Sequence, residues 1–136
     1  MTRALARVIL RRRAIARRRR ISKYRLRARL RIVDSKGIIV VGPGKADLLQ
    51  ALAETGSIRD AAAQLGMSYM RAWTLIRVMN DVFRQPLVEA VRGGSRRGGA
   101  KLTPAGRSVL RLYRKMSQAS ERASTADFRQ LRRLLR

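Results

Sequence analysis

ETGSIRDAAAQLGMSYMRAW, residues 54–73, decides the fold. Two short helical patterns flank Gly66-Met67-Ser68, a turn tight enough to force one helix to cross the other. Ser57 opens the first, because Ser57-Ile58-Arg59-Asp60 has the spacing of a capping box with Asp in place of the usual Glu or Gln. Ala61, Ala62 and Leu65 give that helix a narrow apolar face, and Gly66 closes it. Ser68 caps the second, in which Ala72, Trp73, Ile76, Met79 and Phe83 recur at helical spacing until Gln85-Pro86 stops it. A face of small alanines against a face bearing an aromatic allows the close crossing that a helix-turn-helix requires. Trp73 falls beside Ala72 and Ile76 and is read as core.

Upstream, the period changes. From Tyr24, Leu26, Ala28, Leu30 and Ile32 alternate with Arg25, Arg27, Arg29 and Arg31, the pattern of a half-buried strand. Asp34-Ser35-Lys36-Gly37 supplies a turn, residues 38–41 a second β-branched run, and the two are expected to pair as a hairpin. Gly42-Pro43-Gly44 breaks the sheet. Leu48, Leu49 and Leu52 then mark one face of a helix that Thr55-Gly56 ends. Downstream of Pro86, residues 87–91 read as a strand, 92–99 as a basic glycine-rich loop and 100–103 as the returning strand, which together make a wing. Thr103 caps a last helix with Pro104 at its first position, along which Val109, Leu112, Tyr113 and Met116 repeat. The pattern weakens over 117–125, and Phe128, Leu131 and Leu135 mark a terminal helical segment.

The fold expected is therefore α+β, a winged helix-turn-helix with an N-terminal β-hairpin and a C-terminal helix. Residues 23–116 form the domain, residues 1–22 a basic arm with little apolar surface to bury, and residues 117–136 a helical extension suited to dimerisation.

Charge narrows the function. Lys and Arg number 33 against 8 Asp and Glu, and a net charge of +25 repels itself unless a polyanion is bound. Double-stranded DNA is the expected partner. An anionic membrane is the rival polyanion, but the apolar runs are far too short to span a bilayer. The chain has no Cys and no His, which excludes disulfides, Cys or His zinc sites, His-based triads and thiol nucleophiles together. The few acids lie singly along the chain, so no carboxylate pair is set up for acid–base work, and no enzyme, metal or cofactor is expected. The N-terminus offers only Val8, Ile9 and Leu10 as a signal-peptide core, and the chain is expected in the cytoplasm with the nucleoid.

Three segments in order, ETGSIRDAAAQLGMSYMRAW (54–73), PLVEAVRGGSRRGGAKLT (86–103) and LTPAG (102–106), resemble the N-terminal DNA-binding domain of the ModE-type molybdate-dependent regulators, relatives of the LysR-type winged helix. The resemblance covers residues 24–116. It implies that the helix from Ser68 enters the major groove and brings Ser68, Tyr69, Met70 and Arg71 to bases and phosphates. Arg71 either grips a guanine edge with its planar fork or holds a phosphate, and the two readings stay open. Arg92, Arg96 and Arg97 in the wing are expected on phosphates or in the minor groove, with Ser57 and Lys101 completing the contact set. Homodimerisation through the C-terminal helix is also implied. The regulators carry a molybdate-binding region after this domain, whereas about twenty residues follow Met116 here, fewer than a folded domain needs. Direct oxyanion sensing is not expected, and a separate sensor protein is left open. Two other classes of function fit the charge: an architectural nucleoid protein that binds duplexes without sequence preference, and an RNA- or ribosome-associated basic protein.

Overall fold

The computed structural model describes residues 23–92 and 99–136. The expected basic arm, residues 1–22, and the wing tip with Arg96 and Arg97 lie outside the described residues. Residues 28–125 form one compact unit. Its elements run β1 (Ile32–Val33), β2 (Ile39–Val41), α1 (Pro43–Thr55), α2 (Ile58–Gln64), α3 (Tyr69–Val82), β3 (Val88–Val91), β4 (Gly99–Leu102) and α4 (Pro104–Ala123). A further helix, α5 (Thr125–Arg132), lies almost wholly in a second unit and buries none of its residues.

Capping chemistry sets the helix starts. Ser57 Oγ accepts from the Asp60 N–H at 3.2 Å, Ser68 Oγ from Arg71 N–H at 3.1 Å, and Thr103 Oγ1 from Gly106 N–H at 3.0 Å. Each satisfies one of the N–H groups that a helix start leaves unpaired, which contributes about 1 kcal/mol. Between α2 and α3 the chain reverses at Gly66, whose φ of +65° is left-handed, and Met67 N–H donates back to the Ala62 carbonyl at 3.0 Å. Only glycine adopts that conformation freely, so Gly66 fixes the crossing of the two helices.

The alanine faces then meet. Ala61, Ala62 and Ala72 are buried together with Leu48, Leu49 and Leu52 of α1, Ile76 and Met79 of α3, and Leu87, Val88, Ala100 and Leu102 from the wing. Each large aliphatic side chain removed from water contributes about 1.5–3 kcal/mol, so this single cluster carries most of the unit's stability. A smaller cluster joins Val41, Ala46 and Tyr113, with Leu30, Val109 and Leu110 against it. Two-stranded antiparallel sheets close the two sides: β1 with β2, and β3 with β4 in the register Val88↔Leu102 and Glu89↔Lys101.

Two expectations change and a third is extended. The upstream strand pairs only at Ile32 and Val33, because β2 offers three residues. The preceding extended residues pack on α4 instead: Ala28 N–H donates to Glu121 Oε1 at 2.9 Å, and Tyr113 Oη donates to the Leu30 carbonyl at 2.8 Å. Gly42-Pro43-Gly44 ends the sheet after Val41 as expected, and Pro43 is in addition the first residue of α1, where its missing N–H costs nothing. Trp73 is 40% exposed, because Ala72, Ile76 and Met79 already form the buried stripe of α3 and Trp73 lies beside it.

Candidate nucleic-acid interface

The first turn of α3 stands free of the core. Tyr69, Met70 and Arg71 are all exposed, Met70 to 63%, and Ser68 is exposed at the cap. These four expected contact residues are brought together at one helix start. The outward row continues through Thr74, whose Oγ1 donates to the Met70 carbonyl at 2.8 Å, and Arg77, whose guanidinium lies 5.6 Å from the centre of the Trp73 indole. That cation–π contact holds the arginine head beside the indole at the surface.

Ser57 stands apart from that turn, half-buried at the start of α2 with its oxygen engaged in the cap. On the wing, Arg92 is exposed at the end of β3, whereas Lys101 Nζ lies 3.3 Å from Glu89 Oε1, its register partner across the strands. A phosphate reaching Lys101 must compete with that carboxylate, although the pair is exposed and weak.

The wing's root is braced from two directions. Asn80 of α3 accepts from the Leu87 and Val88 N–H groups at 2.8 and 3.1 Å and donates to the Val88 carbonyl at 2.9 Å. From α4, Thr103 Oγ1 donates to the Pro86 carbonyl at 2.6 Å, and Gly106 lies so close that a Cβ there would stand 2.1 Å from the Leu87 carbonyl oxygen. Sequence reasoning misses Asn80; a polar residue one turn beyond buried Ile76, on the edge of an apolar stripe, is its only signal.

Sequence reasoning also misses a second basic surface. A groove of about 340 Å³ is lined by Arg29, Arg31, Lys45 and Arg71 around Ile39, Leu75 and the Gly42-Pro43-Gly44 corner. Lys45 Nζ donates to the Ile39 and Val40 carbonyls at 2.9 Å each, and burial holds its pKa below the usual lysine value. Helix α1 begins beside it with no side-chain cap and no acid in its first turn. The alternation of arginines through residues 25–31 is legible in one dimension, but nothing there brings it to Arg71.

A helix pair crossing at a glycine turn, with the second helix exposed at its start and a hairpin wing braced behind it, defines a winged helix-turn-helix. Residues 45–107 match the family described as bacterial regulatory helix-turn-helix protein, lysR family. The match covers 63 of the chain's 136 residues and likens that segment to a DNA-binding helix-turn-helix of transcription regulators. Over 70 residues the chain is 43% identical to the molybdenum-pterin-binding protein MopA of Rhodobacter capsulatus, covering 52% of this chain and 26% of that protein. Over 81 residues it is 38% identical to the DNA-binding transcriptional dual regulator ModE of Escherichia coli K12, covering 60% and 31%. The chain thus spans between a quarter and a third of these relatives. A crystal structure of a CbnR DNA-binding domain in complex with DNA shares the fold, with a TM-score of 0.51, 22% identity, and 65% and 95% of the two chains covered.

Proposed function

We propose that the chain is a sequence-specific regulator that places α3 in the major groove of a DNA half-site and lays its wing along the flanking duplex. The observation that carries this reading is the first turn of α3: Ser68, Tyr69, Met70 and Arg71 project together from a helix whose opposite stripe is locked in the core. A helix so presented fits the width of the major groove, and a net charge of +25 supplies the phosphate attraction. Relatives that bind or regulate DNA, and a fold neighbour crystallised on DNA, support it.

In this reading Arg92, Arg96, Arg97 and Lys101 of the wing, with Ser57, meet phosphates or the minor groove, and the protein works on the nucleoid in the cytoplasm. Among the described residues no helix is long and apolar enough to cross a membrane. The active form is a homodimer. Of the expected dimer seam, Val109, Leu112, Tyr113 and Met116 with Leu131 and Leu135, Tyr113 is buried within the unit and Val109 packs on its core, while Leu112 and Met116, one turn apart on α4, and Leu131 and Leu135 are exposed and open to a second copy.

Titration of the intact chain with duplex DNA, a randomised duplex and structured RNA at one salt concentration tests the reading. The expected order is a preferred duplex over random duplex over RNA. Equal affinity for all duplexes makes the protein an architectural one, and preference for RNA removes the DNA reading.

A further inference from the structure

We propose that Arg29, Arg31 and Arg71 together hold one DNA-backbone phosphate in the groove between the N-terminal hairpin and α3, so that Arg71 positions the protein and does not read a base. This deepens the DNA reading above and rests on it.

The period-two segment before β1 sets the placement. The backbone is anchored at Ala28, whose N–H meets the Glu121 carboxylate, and at Leu30, whose carbonyl meets the Tyr113 hydroxyl; Ala28 and Leu30 are half-buried, and the alternating Arg29 and Arg31 are exposed. Residues two apart on an extended strand are about 6.5 Å apart along the chain, close enough for two guanidinium groups to share one tetrahedral anion. Gly42 lies at the same corner: a Cβ on it would stand 3.8 Å from Arg31 Cγ and 3.3 Å from Ile39 Cγ2. Arg71 lines the same groove, as does Leu75, one turn further along the same row of α3.

Three like charges converging on one concavity gain nothing for the fold. Among the described residues the ion pairs are Lys101 with Glu89 and Arg114 with Asp47, so no carboxylate neutralises the groove. Lys45 is already engaged with two carbonyls, which leaves the arginines as donors. Guanidinium forks match phosphate oxygens in pairs, and a phosphodiester is the anion that the DNA reading delivers beside the start of α3.

The row also separates two jobs on one helix. Arg71 and Leu75 face the hairpin, whereas Met70, Thr74 and Arg77 lie along the adjacent exposed row. Phosphate contacts set register and base contacts set sequence, so the adjacent row is left to read bases.

The test uses the intact chain, a preferred duplex and a randomised duplex, each titrated over a range of chloride concentrations. Arg71→Ala, Arg29→Ala and Arg31→Ala should each weaken both duplexes alike with the ratio between duplexes unchanged, and the triple variant should lower the slope of log K against log salt by about one, the one phosphate the three share. A duplex carrying one neutral methylphosphonate at the contacted position should weaken the parent protein most, Arg71→Ala less, and leave the triple variant unaffected. Loss of the ratio in Arg71→Ala would overturn the proposal, and so would a triple variant that keeps the parent's affinity and slope. Inorganic phosphate at matched ionic strength should displace DNA no better than chloride does; saturable displacement by phosphate would make the groove a free-anion site and overturn the backbone assignment. A parent protein that binds no duplex fails the DNA reading itself, a different result from any of these.

Discussion

The two flanks of α3 carry the same sign of charge and are built in opposite ways. On the wing side, Asn80, Thr103 and Gly106 fasten the root of β3 through backbone contacts from two helices, and Lys101 already has Glu89. On the hairpin side, residues 28–31 are held to α4 by two hydrogen bonds, from Ala28 and to Leu30, and their arginines face an open groove. A flank tied into the core reports on folding when it is changed. A flank pinned at two points, with unneutralised charge, reports on binding.

The largest effect belongs to the wing root. Gly106→Ala sets a methyl group against the Leu87 carbonyl at 2.1 Å, and the backbone must move to admit it, so chemical denaturation should show a loss of about 3 kcal/mol or more. A loss no larger than that of an ordinary surface substitution would show that the root is loose and the contrast false.

Asn80→Ala comes next. It leaves the Leu87 and Val88 N–H groups without their acceptor, and a loss of about 2–3 kcal/mol is expected in the same measurement, since unpaired buried donors cost more than a hydrogen bond yields. DNA affinity at temperatures well below unfolding should hold; a drop there with stability intact would move Asn80 from brace to contact.

On the opposite flank, Tyr113→Phe removes the hydroxyl that holds the Leu30 carbonyl and should lower stability by about 1 kcal/mol. Its sharper signature is on DNA: every duplex should weaken by a similar factor, because the arginine pair loses its placement and no base contact is touched. A change in sequence preference would contradict that division.

The smallest effect separates the flanks by charge alone. Glu89→Gln releases Lys101 and should leave stability within about 0.5 kcal/mol, since exposed pairs contribute little. Affinity for all duplexes should rise modestly as a carboxylate leaves the DNA-facing surface. If affinity falls, Glu89 is itself a contact.

Much of the fold is legible from local chemistry. Ser57, Ser68 and Thr103 each cap the helix their spacing announces, since a cap and its N–H partner lie three residues apart. The left-handed turn at Gly66 and the alanine crossing are likewise local patterns. Pro43 is ambiguous in one dimension because proline both breaks a sheet and starts a helix, and only the helical spacing of Leu48, Leu49 and Leu52 downstream decides between the two. Trp73 illustrates the limit of periodicity: a residue 100° from the centre of a stripe is buried or exposed according to how much room its neighbours leave. Asn80, Gly106 and the meeting of Arg29 and Arg31 with Arg71 are tertiary facts. The residues they join lie from seven to more than forty positions apart, and no local pattern relates them.

Selection of the intact chain against a library of fully randomised duplexes, sequenced over successive rounds, tests the central claim most directly. The proposed reading by the exposed first turn of α3 predicts enrichment of one short motif, repeated in inverted orientation about one helical turn apart if the dimer forms through α4. A library that binds tightly and emerges with its composition unchanged would contradict it, and would show that the charge holds DNA while α3 reads nothing.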